Sequence, residues 1–204
     1  MYRVPLLRWL GMIALVVGLA APLAQAQDTV RVRGTIDRVE GDVYLVKARD
    51  GSELKLKLAA NAVVVSLVAA ALSDIKQGDY VGVAGLPLPD GSQKALEVHI
   101  FPEAMRGTGD GHRGWDLQPS STMTNGSVAE TSASSDGQVL TLKYKDGEKK
   151  IVVPPSCPIV RYVPGDVGEL KAGARIFISA ANKQPDGTLS AARVNVGRGV
   201  APPM

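Results

Sequence analysis

From residue 30 onward, apolar side chains recur at every second position in short runs. Val30, Val32 and Ile36 alternate with Arg31, Arg33, Thr35 and Asp37. Tyr44, Val46 and Ala48 alternate with Leu45, Lys47 and Arg49, and Leu54, Leu56 and Leu58 with Lys55 and Lys57. A period of two is that of a strand with one face buried and the other wet. Asp50-Gly51 between two such runs signals a hairpin, because a tight two-residue turn needs positive φ at its centre. Leu72 to Gly78 reads as one helical turn stopped by a glycine. Val81 and Val83 resume a strand, and Pro89-Asp90-Gly91 turns into a last one.

The pattern then repeats. Asp50-Gly51 and Asp146-Gly147 lie 96 residues apart, as do Pro89-Asp90-Gly91 and Pro185-Asp186-Gly187. Ala95 to Ile100 aligns with Ala191 to Val196 at the same offset, and Leu72 to Gly78 resembles Glu169 to Gly173. Five strands with a short helix before the fourth suit a small closed barrel, which hides the edges that a lone sheet exposes. The expectation is an all-β protein of two tandem, five-stranded OB-like β-barrels, each with one short helix. Residues 28–102 form repeat 1, 103–123 a Gly-rich linker loop, 124–199 repeat 2 and 200–204 a tail. A flatter sandwich satisfies the same alternation. The apolar run Ala62–Leu72 reads as a buried strand entering the short helix, or as a partner-binding patch. Its counterpart, Pro154 to Gly165, reads as a Pro-punctuated loop and edge strand.

The first 26 residues have a different character. Arg3 and Arg8 precede the apolar run Trp9–Ala21, Pro22 breaks it, and Ala24-Gln25-Ala26 follows. This is the order of a secretory signal peptide cleaved after Ala26, and the run is short for a membrane span. A periplasmic location is expected, with no transmembrane span after cleavage. The chain carries 23 Lys+Arg against 20 Asp+Glu. Removing the two arginines of the signal leaves a net charge of +1, so overall charge gives no support to nucleic-acid binding. One Cys excludes an intramolecular disulfide and any multi-thiolate metal site, and two His cannot build a three-His site.

Chemistry is sparse. His99 and its counterpart Asn195 read as exposed polar positions on a strand. Cys157 reads as a buried thiol with no nominated base. Gly107-Thr-Gly-Asp-Gly111 lacks the spacing of a phosphate loop and reads as flexible linker. His112, with Glu103, Asp110 and Asp116 nearby, offers oxygen and imidazole ligands to a divalent ion but no established metal spacing. Arg106, His112, Arg113, Trp115 and Asp116 are the candidate ligand or partner contacts, and no residue is assigned as catalytic, cofactor-binding or metal-ligating. A loop Trp between basic residues either stacks on a ligand or packs back onto a barrel. Lys47, Arg49, Lys55 and Lys57, with Lys143, Lys145, Lys149 and Lys150 in the second unit, form basic stripes that solvate an edge or attract anionic surfaces.

The repeated units also resemble a known family. Gly34-Thr-Ile-Asp-Arg-Val39, Leu72-Ser-Asp-Ile-Lys-Gln-Gly-Asp79 and Asp90-Gly91, with the stretch from His99 to Gly109, are similar to a domain of unknown function in exported bacterial proteins. One two-unit subgroup carries the label metal ABC transporter permease. The resemblance implies fold and export. The label itself needs several spanning helices, whereas this sequence has one signal-length run. The expected function is that of a non-enzymatic, exported binding or adaptor protein without a cofactor. Its partner would be a protein or an anionic envelope component, with nucleic acid disfavoured by the few aromatics. The alternative is a metal- or anion-binding accessory protein of a transport system, acting through the inter-repeat loop.

Overall fold

The computed structural model describes residues 28–202, and the signal peptide expected at residues 1–26 lies outside them. The described chain is all-β. Its twelve strands are β1 Thr29–Glu40, β2 Val43–Ala48, β3 Glu53–Ala70, β4 Tyr80–Pro87, β5 Gln93–Ile100, β6 Gly111–Gly114, β7 Thr122–Ser134, β8 Gly137–Tyr144, β9 Gly147–Val153, β10 Ile159–Pro164, β11 Arg175–Lys183 and β12 Leu189–Gly197. The two expected helices are single 3-10 turns, Leu72–Asp74 and Val167–Glu169, each before a left-handed glycine, Gly78 (φ 89°) and Gly173 (φ 83°).

Five strands close a barrel in the circuit β1–β2–β3–β12–β11 and back to β1. Every pairing is antiparallel except that of β3 with β12, which is parallel. The inward residues of this ring form one core that includes Val32, Ile36, Val46 and Leu56 of the first half and Ile176, Ile178, Ala191 and Val194 of the second. A second set of pairings runs β4–β5–β9–β8–β7 and back to β4, with β5 and β9 parallel. A second core fills them, with Val81, Val83 and Val98 from the first half and Val128, Leu140 and Ile151 from the second.

These pairings correct the expectation that residues 28–102 and 124–199 each make a barrel of their own. The last two strands of each half pair with the first three strands of the other. The exchange happens along β3. After Leu58, which pairs with Ala191, its register with β12 jumps, and it resumes at Val63 opposite Arg193. Beyond this bulge, Val65–Ala70 pair antiparallel with Pro164–Ile159 of β10. In the second half the equivalent bulge is Pro154 to Pro158, whose prolines lack the N–H a ladder needs, so β9 and β10 are separate strands. β10 is not an edge, because it also pairs in parallel with β5.

A third, smaller apolar cluster sits where β3 and β10 meet: Val65, Leu67, Val160 and Tyr162, with Phe101, Met105 and Val200 packed on it. It covers the outer face of β5, where Tyr162 stacks on Phe101 at 4.9 Å and meets the edge of His99 at 6.1 Å. His99 and Asn195 are therefore buried, at 3% and 5% exposure, and not the wet strand positions that alternation predicts. His99 Nε2 approaches Glu97 Oε1 at 3.2 Å without hydrogen-bond alignment, and Asn195 Nδ2 donates to the Phe177 carbonyl at 3.1 Å.

Candidate functional site

The linker between the halves is held along its length. Arg106 donates to the Glu103 carboxylate (2.6 and 2.7 Å), to Ser127 Oγ (3.0 Å) and to the Gly78 carbonyl (2.9 Å). Its guanidinium lies 5.9 Å from the Tyr80 ring centre. Asp110 accepts from the Tyr80 hydroxyl at 3.2 Å and from the Lys145 backbone at 2.7 Å. Burial and the Asp110 carboxylate push the Tyr80 hydroxyl up to about 12. β6 then pairs with β7, and its His112 places Nδ1 2.8 Å from Thr124 Oγ1. The pKa of His112 is lowered, first by desolvation and then by Lys149.

Past β6 the linker changes partner and lands on the outer face of the closed barrel. Val32 and Ile36 point into that barrel, so Arg31 and Arg33 of β1 point outward. Asp116 accepts two hydrogen bonds from Arg33, at 2.9 and 2.6 Å, and one ion pair from Arg31 at 2.6 Å. The two guanidiniums hold its carboxyl well below the usual carboxylate range. The Arg31 guanidinium lies 4.1 Å from the Trp115 ring centre, while Arg33 and Arg113 are each at 5.8 Å. Trp115 also meets Phe177 of β11 edge-on at 6.5 Å.

The five candidate residues thus divide between two locations. Arg106 and His112 lie against β4 and β7, Trp115 and Asp116 lie against β1 and β11, and Arg113 bridges back to the Gly109 carbonyl at 2.6 Å. The oxygen ligands near His112 have other partners: Glu103 binds Arg106, Asp110 binds Tyr80 and Asp116 binds Arg33. Among the described residues no group of three or more His, Cys, Asp or Glu is placed to hold a metal ion. The Cys157 thiol is pushed up to about 12, first by burial and then by Glu97.

Beside Asp116 opens a groove of about 930 Å³. Arg31 and Arg33 form one wall, the β2–β3 hairpin Arg49–Lys55 another, and the β11–β12 turn Lys183–Gly187 a third. Asp50 and Asp186 in those turns accept from their own Ser52 and Thr188, so each carboxylate rigidifies its loop. The grouping of Arg31, Arg33 and Phe177 was not among the residues nominated from sequence. A signal existed: Ile176-Phe177-Ile178 breaks the alternation of β11, as a strand does when both faces are covered.

Compared with models of known families, with curated proteins and with solved structures, the chain matches none. Among the described residues no helix is long and apolar enough to cross a membrane.

Proposed function

We propose that this chain is an exported, non-enzymatic binding or adaptor protein of the kind its repeats resemble, built from two OB-like barrels that exchange their last two strands. The strand order 1-2-3-5-4 of the closed ring, with strands three and five parallel, supports the OB-like reading. In OB-folds the strand 2–3 face and the loops between strands 1–2 and 4–5 bind extended polymers such as oligosaccharides and oligonucleotides. The groove carries the reading: it is bounded by the strand 2–3 hairpin and the strand 4–5 turn of the closed barrel. Its walls alternate cations with carboxylates over the apolar Val30, Leu54 and Leu189, which suits a polar, extended ligand of the envelope. The groove lacks the aromatic platforms that single-stranded nucleic acid uses, Trp115 being packed under Arg31. Titration of ¹⁵N-labelled protein with an acidic oligosaccharide, an oligouronate of four to eight units, tests this. Shifts confined to the hairpin and turn, weakened at least tenfold by Lys55→Glu with Lys183→Glu, are expected. Shifts elsewhere, or none, reject the groove.

A further inference from the structure

Next to the groove, on the outer face of the same barrel, four cations converge with no acid among the lining residues. Thr35 of β1 pairs with Lys47 of β2 on one side and with Arg175 of β11 on the other. Ile36, Val46 and Ile176 are buried inward, so Thr35, Lys47 and Arg175 face outward in one row across three strands. One step along β1, Arg33 pairs with Phe177, and its carbonyl accepts from the Arg49 backbone. The result is two adjacent rows, Arg49–Arg33–Phe177 and Lys47–Thr35–Arg175, around a cup of about 340 Å³. Gly34, Ala48, Ile176 and Pro202 are among the other lining residues.

Like charges set side by side on a sheet repel. In the first row Asp116 neutralises Arg33. The cations of the second row, Lys47 and Arg175, and Arg49 beside Arg33 have no such partner: among the described residues no ion pair or side-chain hydrogen bond engages them. The row sets a hydroxyl between two cations that stand two strand spacings apart, so three donor-bearing side chains line the same cup. That set suits a tetrahedral oxyanion, which accepts from several directions at once.

We infer that this cup is an oxyanion site, with Lys47 and Arg175 as its charged clamp, Thr35 as the central donor and Arg49 as the rim, and with a phosphate group as its ligand. The cup adjoins the groove and shares Arg33, Ala48 and Arg49 with it, but Lys47 and Arg175 line only the cup while Lys55 and Lys183 line only the groove, so the two can be tested apart. The phosphate can be free or carried on a lipid headgroup, and the chemistry at the cup is the same. The test is titration of the ¹⁵N-labelled protein with inorganic phosphate at constant ionic strength, together with co-sedimentation on phosphatidylglycerol vesicles.

Saturable phosphate shifts at Thr35, Lys47 and Arg175 are expected, with affinity falling at least tenfold in Lys47→Gln/Arg175→Gln and unchanged in Lys55→Gln/Lys183→Gln. Vesicle binding that the cup variant abolishes assigns the ligand to a headgroup, whereas phosphate binding without vesicle binding assigns it to the free ion. Absence of saturable binding to both probes overturns the site. So does binding that the cup variant leaves intact or that only the groove variant removes. All four substituted positions are exposed, and an unchanged thermal melt confirms that each variant is folded.

Discussion

Arg33 and Asp116, 83 residues apart in sequence, meet in a two-point guanidinium–carboxylate contact at 2.9 and 2.6 Å. Arg33 belongs to the first strand of the closed barrel, and Asp116 to a linker whose earlier part is fixed on β4 and β7. The contact therefore ties the linker across both sets of strands. Half of the Asp116 side chain remains exposed, so solvent screens the pair, and Asp116→Ala is expected to cost about 1 kcal/mol in urea unfolding. Trp115→Ala removes ring packing against Arg31 and Phe177 and should cost more, about 2 kcal/mol, less than a fully buried aromatic because Trp115 is only half-buried. A loss below ~0.5 kcal/mol for both variants would show that the linker rests on the barrel without stabilising it.

Glu169 should make stability acid-sensitive. Its carboxylate accepts from Arg198 Nη2 at 2.7 Å and from Ser66 Oγ at 2.8 Å, where Ser66 is fully buried on β3. The Arg198 hydrogen bond, then Ser66, holds the carboxyl at about 2, below its ordinary 4.5. A carboxyl depressed on folding adds stability that is present above its unfolded pKa and is lost as pH falls through the folded value. The loss should thus fall between about pH 4.5 and 2, with Glu169→Gln flattening that part of the curve by about 1 kcal/mol. Chemical unfolding at pH 7, 4 and 2.5 measures it. Parallel pH curves for both proteins would assign the acid response to other carboxylates.

The strands and turns were legible in the sequence because their signals are local. Val30 to Leu58 alternate as drawn, and the glycines at 78 and 173 end their 3-10 turns with positive φ. The exchange was not legible. Alternation states which face of β12 is inward, and Ala191, Val194 and Val196 would bury that face equally well beside β9 of their own half as beside β3 of the other. His99 was misread for a related reason. A strict period of two assigns its side chain to water, but Tyr162 and Phe101, remote in sequence, cover that face. The site residues Arg31 and Arg33 look like any solvated stripe until β11 places Phe177 beside them.

The linker histidine is expected in one tautomer. Gln93 Nε2 donates to Thr122 Oγ1 at 2.8 Å and to the Thr122 carbonyl, which turns Gln93 Oε1 toward Thr124. The single Thr124 hydroxyl proton goes to that oxygen at 2.8 Å, so His112 Nδ1 must supply the proton of its own 2.8 Å contact. Neutral His112 is therefore Nδ1–H, with Nε2 unprotonated. Long-range ¹H–¹⁵N correlation spectra should show this at pH 7, and Thr124→Val should return the ring to the Nε2–H mixture of free histidine. The same change strands Gln93 Oε1 in a buried site and should cost about 1–3 kcal/mol. A wild-type Nε2–H signal would overturn the hydrogen-bond order.

The exchange of strands sets what the halves can do apart. Each core takes its residues from both halves: Val32, Val46 and Leu56 need Ile178 and Val194, and Val81 and Val98 need Leu140 and Ile151. A chain cut in the exposed segment Gln118–Ser120 leaves three strands of one ring and two of the other on each fragment. A three-stranded fragment exposes one wide apolar face, and a two-stranded hairpin is marginal in water. Neither fragment should form a folded monomer, and each alone should lack a cooperative melt by circular dichroism. Mixed in equal amounts, they should recover the native spectrum and sediment as a 1:1 complex, because every ladder of both rings is then available. A cooperative melt from either fragment as an isolated monomer would show that a half can close its own barrel, and would place the ladder of β3 with β12 second to one within the half.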